Sequence, residues 1–350
     1  MTSAAETPID AAPLGTVPTT GTVTPTADGH LALHHDDRLE IHHARTLLAG
    51  TLTPLHTLRL PPHARATPLT DGAVIAEANR IRRLHHDGTT RWELPHTPWP
   101  GGHQDPRPPG PPAVHPTGTT VSVLIPTSAD DTPHPNGPPP TRSDTLLLID
   151  TDTGHPHAQR PISGNTSIAT QRWHPSGTLL TLSCWTAWYS WSTWWIQPRH
   201  DGLHIRGGTT MREVIDFLPG APHTTPRILT LRRAEHIAAN DDRDELATHD
   251  PGADEPTARY DLTRLATERD HDEFDGAFLI DDRHLLITGR IHPPGRPALI
   301  RHWLCDATTL QPLGHLRYPR PVGWVTPLGD GTWLTRGTDT LHRWTLPHRP

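Results

Sequence analysis

Three stretches of the chain carry one pattern: TVTPTADGHLALH at 22–34, RATPLTDGAVIAE at 65–77 and WVTPLGDGTWLTR at 324–336. Each holds Thr-Pro-x-x-Asp-Gly, followed by a short run in which apolar and polar residues alternate. Proline ends a strand because its ring removes the backbone donor, and Asp-Gly supplies a tight turn. The alternation that follows has the period of a half-buried strand. AVHPTGTTVSVLI (113–125) and RWHPSGTLLTLSC (172–184) replace the turn with His-Pro-Thr/Ser-Gly. GAFLIDDRHLLITG (276–289) keeps two strands around Asp-Asp, and VIDFLPGAPHTTPRILTL (214–231) has a longer turn.

Each hairpin is followed by a third short strand, such as RLEIHHA (38–44), NRIRRLHH (79–86), DTLLLID (144–150), ALIRHWLCD (298–306) or DTLHRWTL (339–346). A fourth often comes next, as in HTLRLP (56–61), TRWELP (90–95) and GHLRYP (314–319). Four strands per unit, at a period of roughly 45–55 residues, describe the blade of a β-propeller. The expected fold is all-β: a seven-bladed propeller of four-stranded antiparallel blades. PLGTVPTTGTVTP (13–25) is similar to PLGHLRYPRPVGWVTP (312–327), a fourth strand leading into the next first strand. The N-terminal strand is therefore expected to close the last blade, with Leu14–Val17 beside Leu341–Leu346. Residues 1–11 read as a flexible tail and 12–350 as one propeller domain, with insertions at 96–112, 126–144 and 235–257.

Composition agrees with thin sheets. Hydrophobic residues make up 33% of the 350, lean for one deep core but suited to sheets that each bury modest area against a neighbour. With 41 prolines and 27 glycines, a helical protein is excluded. There is no lysine, so a phosphate-loop or Schiff-base lysine is excluded too. The Arg, Ala, Pro and His excess points to a GC-rich genome of actinobacterial type. A net charge of −7 argues against a nucleic-acid partner. Two cysteines make no disulfide framework. No run approaches the ~20 apolar residues of a membrane span, and MTSAAETPID lacks the features of a signal peptide. A cytoplasmic monomer without a membrane partner is expected.

The repeat pattern resembles the WD-repeat-like β-propeller superfamily over about residues 12–347. The Gly-His and Trp-Asp dipeptides of standard WD repeats are absent at regular positions. The Thr-Pro-x-x-Asp-Gly and His-Pro-Ser/Thr-Gly turns instead look like divergent bacterial propellers. The resemblance implies an architecture that hosts scaffolds, enzymes and ligand binders alike, so function must be sought in the loops.

Loops joining second to third strands, and fourth to next first strands, leave a blade at one end, and there the long segments fall. They are Pro-rich in blade 3, acidic in blade 5 and aromatic in blade 4, where SCWTAWYSWSTWWIQP (183–198) holds five of twelve tryptophans. Long loops on a rigid frame are where binding usually lives. With Tyr189-Ser190 as the turn, Trp188 would face Trp191 and Trp185 would face Trp194, on opposite faces. The candidate partner-binding residues are Trp185, Trp188, Tyr189, Trp191 and Trp194, with Trp99 from the linker between blades 2 and 3. The partner expected is another protein.

Other chemistry is weakly supported. His34, His35, His42 and His43 flank one hairpin, yet strand alternation brings at most two together on each side. The acidic loop (Asp241, Asp242, Asp244, Glu245) lacks the calcium-loop spacing. Cys184 and Cys305 read as buried structural thiols. No catalytic residue, metal ligand or cofactor is expected. The alternatives are a hydrolase or lyase with a site in the central channel, lined by Ile215-Asp216-Phe217 and Arg172-Trp173-His174, or a propeller binding carbohydrate or another small ligand.

Overall fold

The computed structural model describes residues 7–19, 21–26, 29–99, 108–127, 143–163, 166–186, 190–199, 202–210, 212–218, 227–232, 244–251, 253, 255–265, 273–291 and 298–347. Two strands open the chain, β1 (Pro8–Asp10) and β2 (Ala12–Val17). Blade 1 takes β3 (Thr22–Pro25), β4 (His30–His34), β5 (Arg38–His43) and β6 (His56–Arg59), with a short helix α1 (Ala44–Leu48) before β6. Blade 2 is β7 (Arg65–Leu69), β8 (Gly72–Ala76), β9 (Arg80–His85) and β10 (Thr90–Pro95). Blade 3 is β11 (Ala113–Val114), β12 (Thr120–Pro126), β13 (Ser143–Asp150) and β14 (Pro156–Ser163). Blade 4 is β15 (Thr166–Trp173), β16 (Leu180–Thr186), β17 (Ser190–Arg199) and β18 (Gly202–Thr210).

Blade 5 is β19 (Arg212–Leu218), β20 (Arg227–Arg232), β21 (Glu245–His249) and β22 (Ala258–Asp261). Blade 6 is β23 (Glu273–Leu279), β24 (His284–Ile291), β25 (Leu299–Asp306) and β26 (Pro312–Arg317). Blade 7 is β27 (Val325–Pro327), β28 (Thr332–Arg336), β29 (Leu341–Thr345) and the N-terminal β2. This is the seven-bladed β-propeller, each blade a four-stranded antiparallel meander. Two compact units stand out, one built on blades 1–4 and one on blades 5–7 with residues 44–53.

The repeated turns have a local cause. In both His-Pro-x-Gly turns the imidazole Nδ1 accepts from the backbone N–H two residues on, His115 from Thr117 and His174 from Ser176. Gly118 and Gly177 sit at φ 76° and 73°, the left-handed region that favours glycine. Gly72 differs. It begins β8, and a Cβ there would lie 1.8 Å from the Leu84 carbonyl oxygen, so close strand approach is what demands glycine. In the Asp-Asp turn, Asp281 Oδ1 accepts from the backbone N–H groups of Arg283 and His284 at 2.7 and 2.8 Å.

The last blade closes as the sequence implied: β2 pairs with β29 from Ala12↔Thr345 to Val17↔Leu341. Two boundaries move. Residues 8–10, placed in a tail, form β1, which runs parallel to β26 as a fifth strand of blade 6. Asp10 accepts there from Arg317 Nε and Nη2 at 2.7 and 2.8 Å. Within the expected insertion 235–257, Glu245–His249 is β21, its alternation hidden in sequence by flanking acidic residues. The Pro-rich linker is also partly built in. The Ala169 N–H donates to the Pro109 carbonyl at 3.0 Å, and Thr67 Oγ1 donates to that of Pro112 at 2.6 Å.

The core is divided among pairs of consecutive blades. Leu39, Ile41, Ala73 and Ile75 fill the space between blades 1 and 2, and Val74, Ile81, Val121 and Ile149 that between blades 2 and 3. Leu146, Leu148, Leu180 and Leu182 join blades 3 and 4, while Leu229, Leu246, Phe274 and Trp303 join blades 5 and 6. Leu286, Leu304, Trp333 and Trp344 join blades 6 and 7. Both faces of a sheet are thus used, which is how a lean composition suffices.

Polar joints fix the seams. Buried Arg83 of β9 donates to both carboxylate oxygens of Asp71 at 2.7 Å and to Asp152 Oδ1 at 2.8 Å, tying blade 2 to blade 3. Between blades 6 and 7 the Tyr318 hydroxyl lies 2.8 Å from His302 Nδ1 and accepts from Trp333 Nε1 at 3.1 Å. Within blade 7, Trp344 Nε1 donates to Thr335 Oγ1 at 2.8 Å.

Deleting residues 1–11 should lower the melting temperature by several degrees while leaving a folded protein. Deleting 1–17, which also strips β2 from β29, should yield aggregated material on size exclusion. Burial pulls the His302 pKa down to about 4; His34 and His249 reach about 4 as well, burial again leading. The unfolded chain therefore binds more protons between about 4 and the ordinary value of 6.5. Stability should be full above pH 6.5 and fall as the pH drops toward 4. Thermal melts across that range should show a flatter slope for His302→Gln.

Candidate functional site

Blade 4 owes its long hairpin to sustained alternation. Leu180, Leu182 and Cys184 in β16 alternate with Thr181, Ser183 and Trp185. Pairing with β17 runs from Leu180↔Ile196 to Thr186↔Ser190. This differs from the register expected with Tyr189-Ser190 as the turn. Trp185 faces Trp191 rather than Trp194, and Trp194 faces Leu182. The three-residue slip is odd, so it exchanges which tryptophans share a face. Trp188 and Tyr189 lie outside the described residues.

β15 extends the row, because Ile168 pairs with Trp185. Residues opposite each other in antiparallel strands point the same way. Ile168, Trp185 and Trp191 therefore form one apolar row across three strands, at the end of the blade where β16 and β17 connect. Both rings are half-buried, and Ile168 is 48% exposed. Beneath the row, the buried Ser183 and Thr193 hydroxyls lie 3.1 Å apart. Below them Trp195 is only 2% exposed. A directly opposed aromatic pair adds about 0.5–1.5 kcal/mol and stiffens the end of the hairpin.

The other face looks inward. Leu182, Cys184 and Ile196 enter the core shared with blade 3, and Trp194 packs against it. Trp99 is in that same core, 5% exposed, its ring meeting His96 edge-on at 6.4 Å. The Trp99 N–H donates to the Ala78 carbonyl at 2.9 Å, which draws the linker in beside the β8–β9 turn. Its ring is packing, not surface. Of the residues expected at one surface, Trp185 and Trp191 come together, while Trp194 and Trp99 turn away. Ile168 was missed, since only the pairing register reveals it.

Other candidates find local roles. His35 Nε2 and His42 Nε2 lie 3.4 and 3.2 Å from the same Glu40 oxygen, while His34 and His43 share the opposite face. Strand alternation thus separates the four two by two. Among the described residues, no group of three or more His, Cys, Asp or Glu is disposed to hold a metal ion. Glu245 is ion-paired with Arg212, and Asp241 and Asp242 fall outside the described residues. Cys184 and Cys305 are buried, and burial pushes both thiols up to about 12. Trp173 Nε1 donates to the Ala113 carbonyl, His174 serves its turn, and Asp216 Oδ1 accepts from the Phe217 N–H.

With this geometry in view, likeness to solved structures settles the architecture. The chain matches BamB from Moraxella catarrhalis with a TM-score of 0.56 and 10% identity, over 96% of this chain and 100% of that one. It matches the Pan2 WD40 domain of Neurospora crassa with a TM-score of 0.54 and 11% identity, over 97% of each. The architecture is WD-repeat-like. A chain of the Mitotic Checkpoint Complex matches with a TM-score of 0.57 and 9% identity, over 96% of this chain and 94% of that one. Identities this low establish the fold alone. No protein-family model matches the sequence, and no curated protein matches it.

The two faces of the hairpin should respond differently to truncation. Trp195→Ala removes a buried ring and should destabilise by about 3–5 kcal/mol. Trp185→Ala, at the half-buried rim, should cost well under half of that. Urea titrations of the two variants measure the difference.

Proposed function

We propose that the protein is a non-catalytic binding propeller of the cytoplasm, a monomeric scaffold that holds another protein against the Ile168–Trp185–Trp191 row. The observation that carries this reading is an apolar row, partly exposed, on the rim of a rigid sheet. Tryptophan is enriched where interfaces concentrate their energy, and a ring already fixed in a strand loses little entropy on binding. A chain of similar fold in the Mitotic Checkpoint Complex supports protein partners for this kind of architecture. Two unpaired, buried thiols accord with a reducing compartment. Among the described residues no helix is long and apolar enough to cross a membrane.

The test is affinity capture from a lysate of the source organism, comparing the wild type with Trp185→Ala/Trp191→Ala. Circular dichroism confirms that the double variant keeps its fold. Loss of a captured protein from the folded variant is the expected result. Equal capture by both overturns the assignment, and elution by free sugars would reassign the row to carbohydrate stacking.

A further inference from the structure

Four histidines gather at one end of the seam between blades 1 and 2, where β4 and β6 begin and β9 finishes. His30 opens β4 opposite His43 at the end of β5, and Ile41 pairs with both Ala32 and His56. Residues paired across antiparallel strands share a face. His30, His43 and His56 therefore stand on the side of Ile41, which packs into the core shared with blade 2. From blade 2, Leu84 of β9 enters that core, and His86 follows two residues on.

The four meet as two pairs. The His56 and His86 rings are stacked, with centroids 3.6 Å apart and planes 10° from parallel. The His30 and His43 rings are 5.1 Å apart and tilted by 36°. His86 Nε2–H donates to the Thr70 carbonyl at 2.9 Å, which fixes that ring. Its Nδ1 is buried with no hydrogen-bond partner among the described residues. The carboxylates of the adjoining turns are engaged elsewhere. Asp71 is committed to Arg83 and Arg91, and Asp87 accepts from the Thr89 N–H and hydroxyl at 2.9 and 2.6 Å. His85 pairs with Gly72, which turns it away from the face of Leu84. Burial lowers the His56 pKa, and the charges of His86 and His30 lower it further.

We propose that the His56–His86 stack is an acid-sensitive latch, closed while at most one of its rings is charged and opened locally when both are. A charged ring stacks well on a neutral one, whereas two imidazoliums at this separation repel each other. The closed latch binds fewer protons than the open one. It is therefore favoured above the ordinary histidine value of 6.5 and lost as the pH falls through the lowered value of His56. Opening parts the start of β6 from the β9–β10 turn. The rest of β6 stays in place, because Leu58 is buried opposite Leu39. The latch does not depend on the blade 4 row.

Hydrogen exchange read by mass spectrometry, with rates corrected for the intrinsic effect of pH, tests the latch from about pH 7.5 down to about 5.5. Protection over residues 54–60 and 84–90 should fall by up to about tenfold per pH unit, the limit for one proton. Protection over 121–125 in blade 3 should hold. His56→Phe keeps a stacked ring without a charge and should remove the pH dependence. His86→Gln keeps a donor for the Thr70 carbonyl and should remove it as well. Circular dichroism shows that each variant is folded, and if the phenylalanine variant is not, His86→Gln carries the test. Protection in the wild type that does not change with pH would overturn the proposal. So would the wild-type pH dependence in folded His86→Gln, or a loss over 121–125 in step with the latch.

Discussion

The pairing of β2 with β29 is the constraint on which the architecture depends. A sheet of three strands from the C-terminal region would leave a row of unpaired backbone groups at the β29 edge, and the N-terminal strand fills it. Loop closure over nearly the whole chain is entropically expensive, though only logarithmically so in chain length. The strand that meets this demand is helped by β1, which adds to the blade next door and brings Asp10 to Arg317. Adjacent blades 6 and 7 are therefore stapled by one N-terminal stretch.

Within this frame, apolar area does most of the stabilising and polar groups choose the geometry. Among the described residues of blades 1–4, and again of blades 5–7, Leu, Ile and Trp side chains of neighbouring sheets interdigitate. Flat apolar faces can slide, whereas hydrogen bonds cannot. Arg83 reaches across to Asp152, and Tyr318 binds His302 and Trp333 together, so both seams have one favoured register. Burial lowers the pKa of His302, which links this seam to pH.

Two features carry the chemistry that packing leaves over. Blade 4 offers aromatic and aliphatic area with little charge. The seam of blades 1 and 2 offers stacked imidazoles. Both lie where strands end. Buried positions in the strands go to packing, as Trp195 and Trp303 demonstrate.

Much of the fold was legible in the chain because its signals are local. Prolines end strands, and His115 and His174 cap identical turns through their own Nδ1 atoms. Gly118 and Gly177 take φ values that other residues avoid. The similarity of 13–25 to 312–327 even foretold which strand closes the last blade. What the sequence could not settle is register and facing, since these depend on partners distant in the chain. Tyr189-Ser190 is a plausible turn in isolation, yet burial of Leu182, Cys184 and Ile196 against blade 3 selects Trp185↔Trp191. Trp99 looks like a loop residue until the core of blades 3 and 4 takes it in. Residues 8–10 look like a tail until the β26 edge offers hydrogen bonds. Local propensity determined where the chain turns; burial on both faces of each sheet decided which side chains were left to meet a partner.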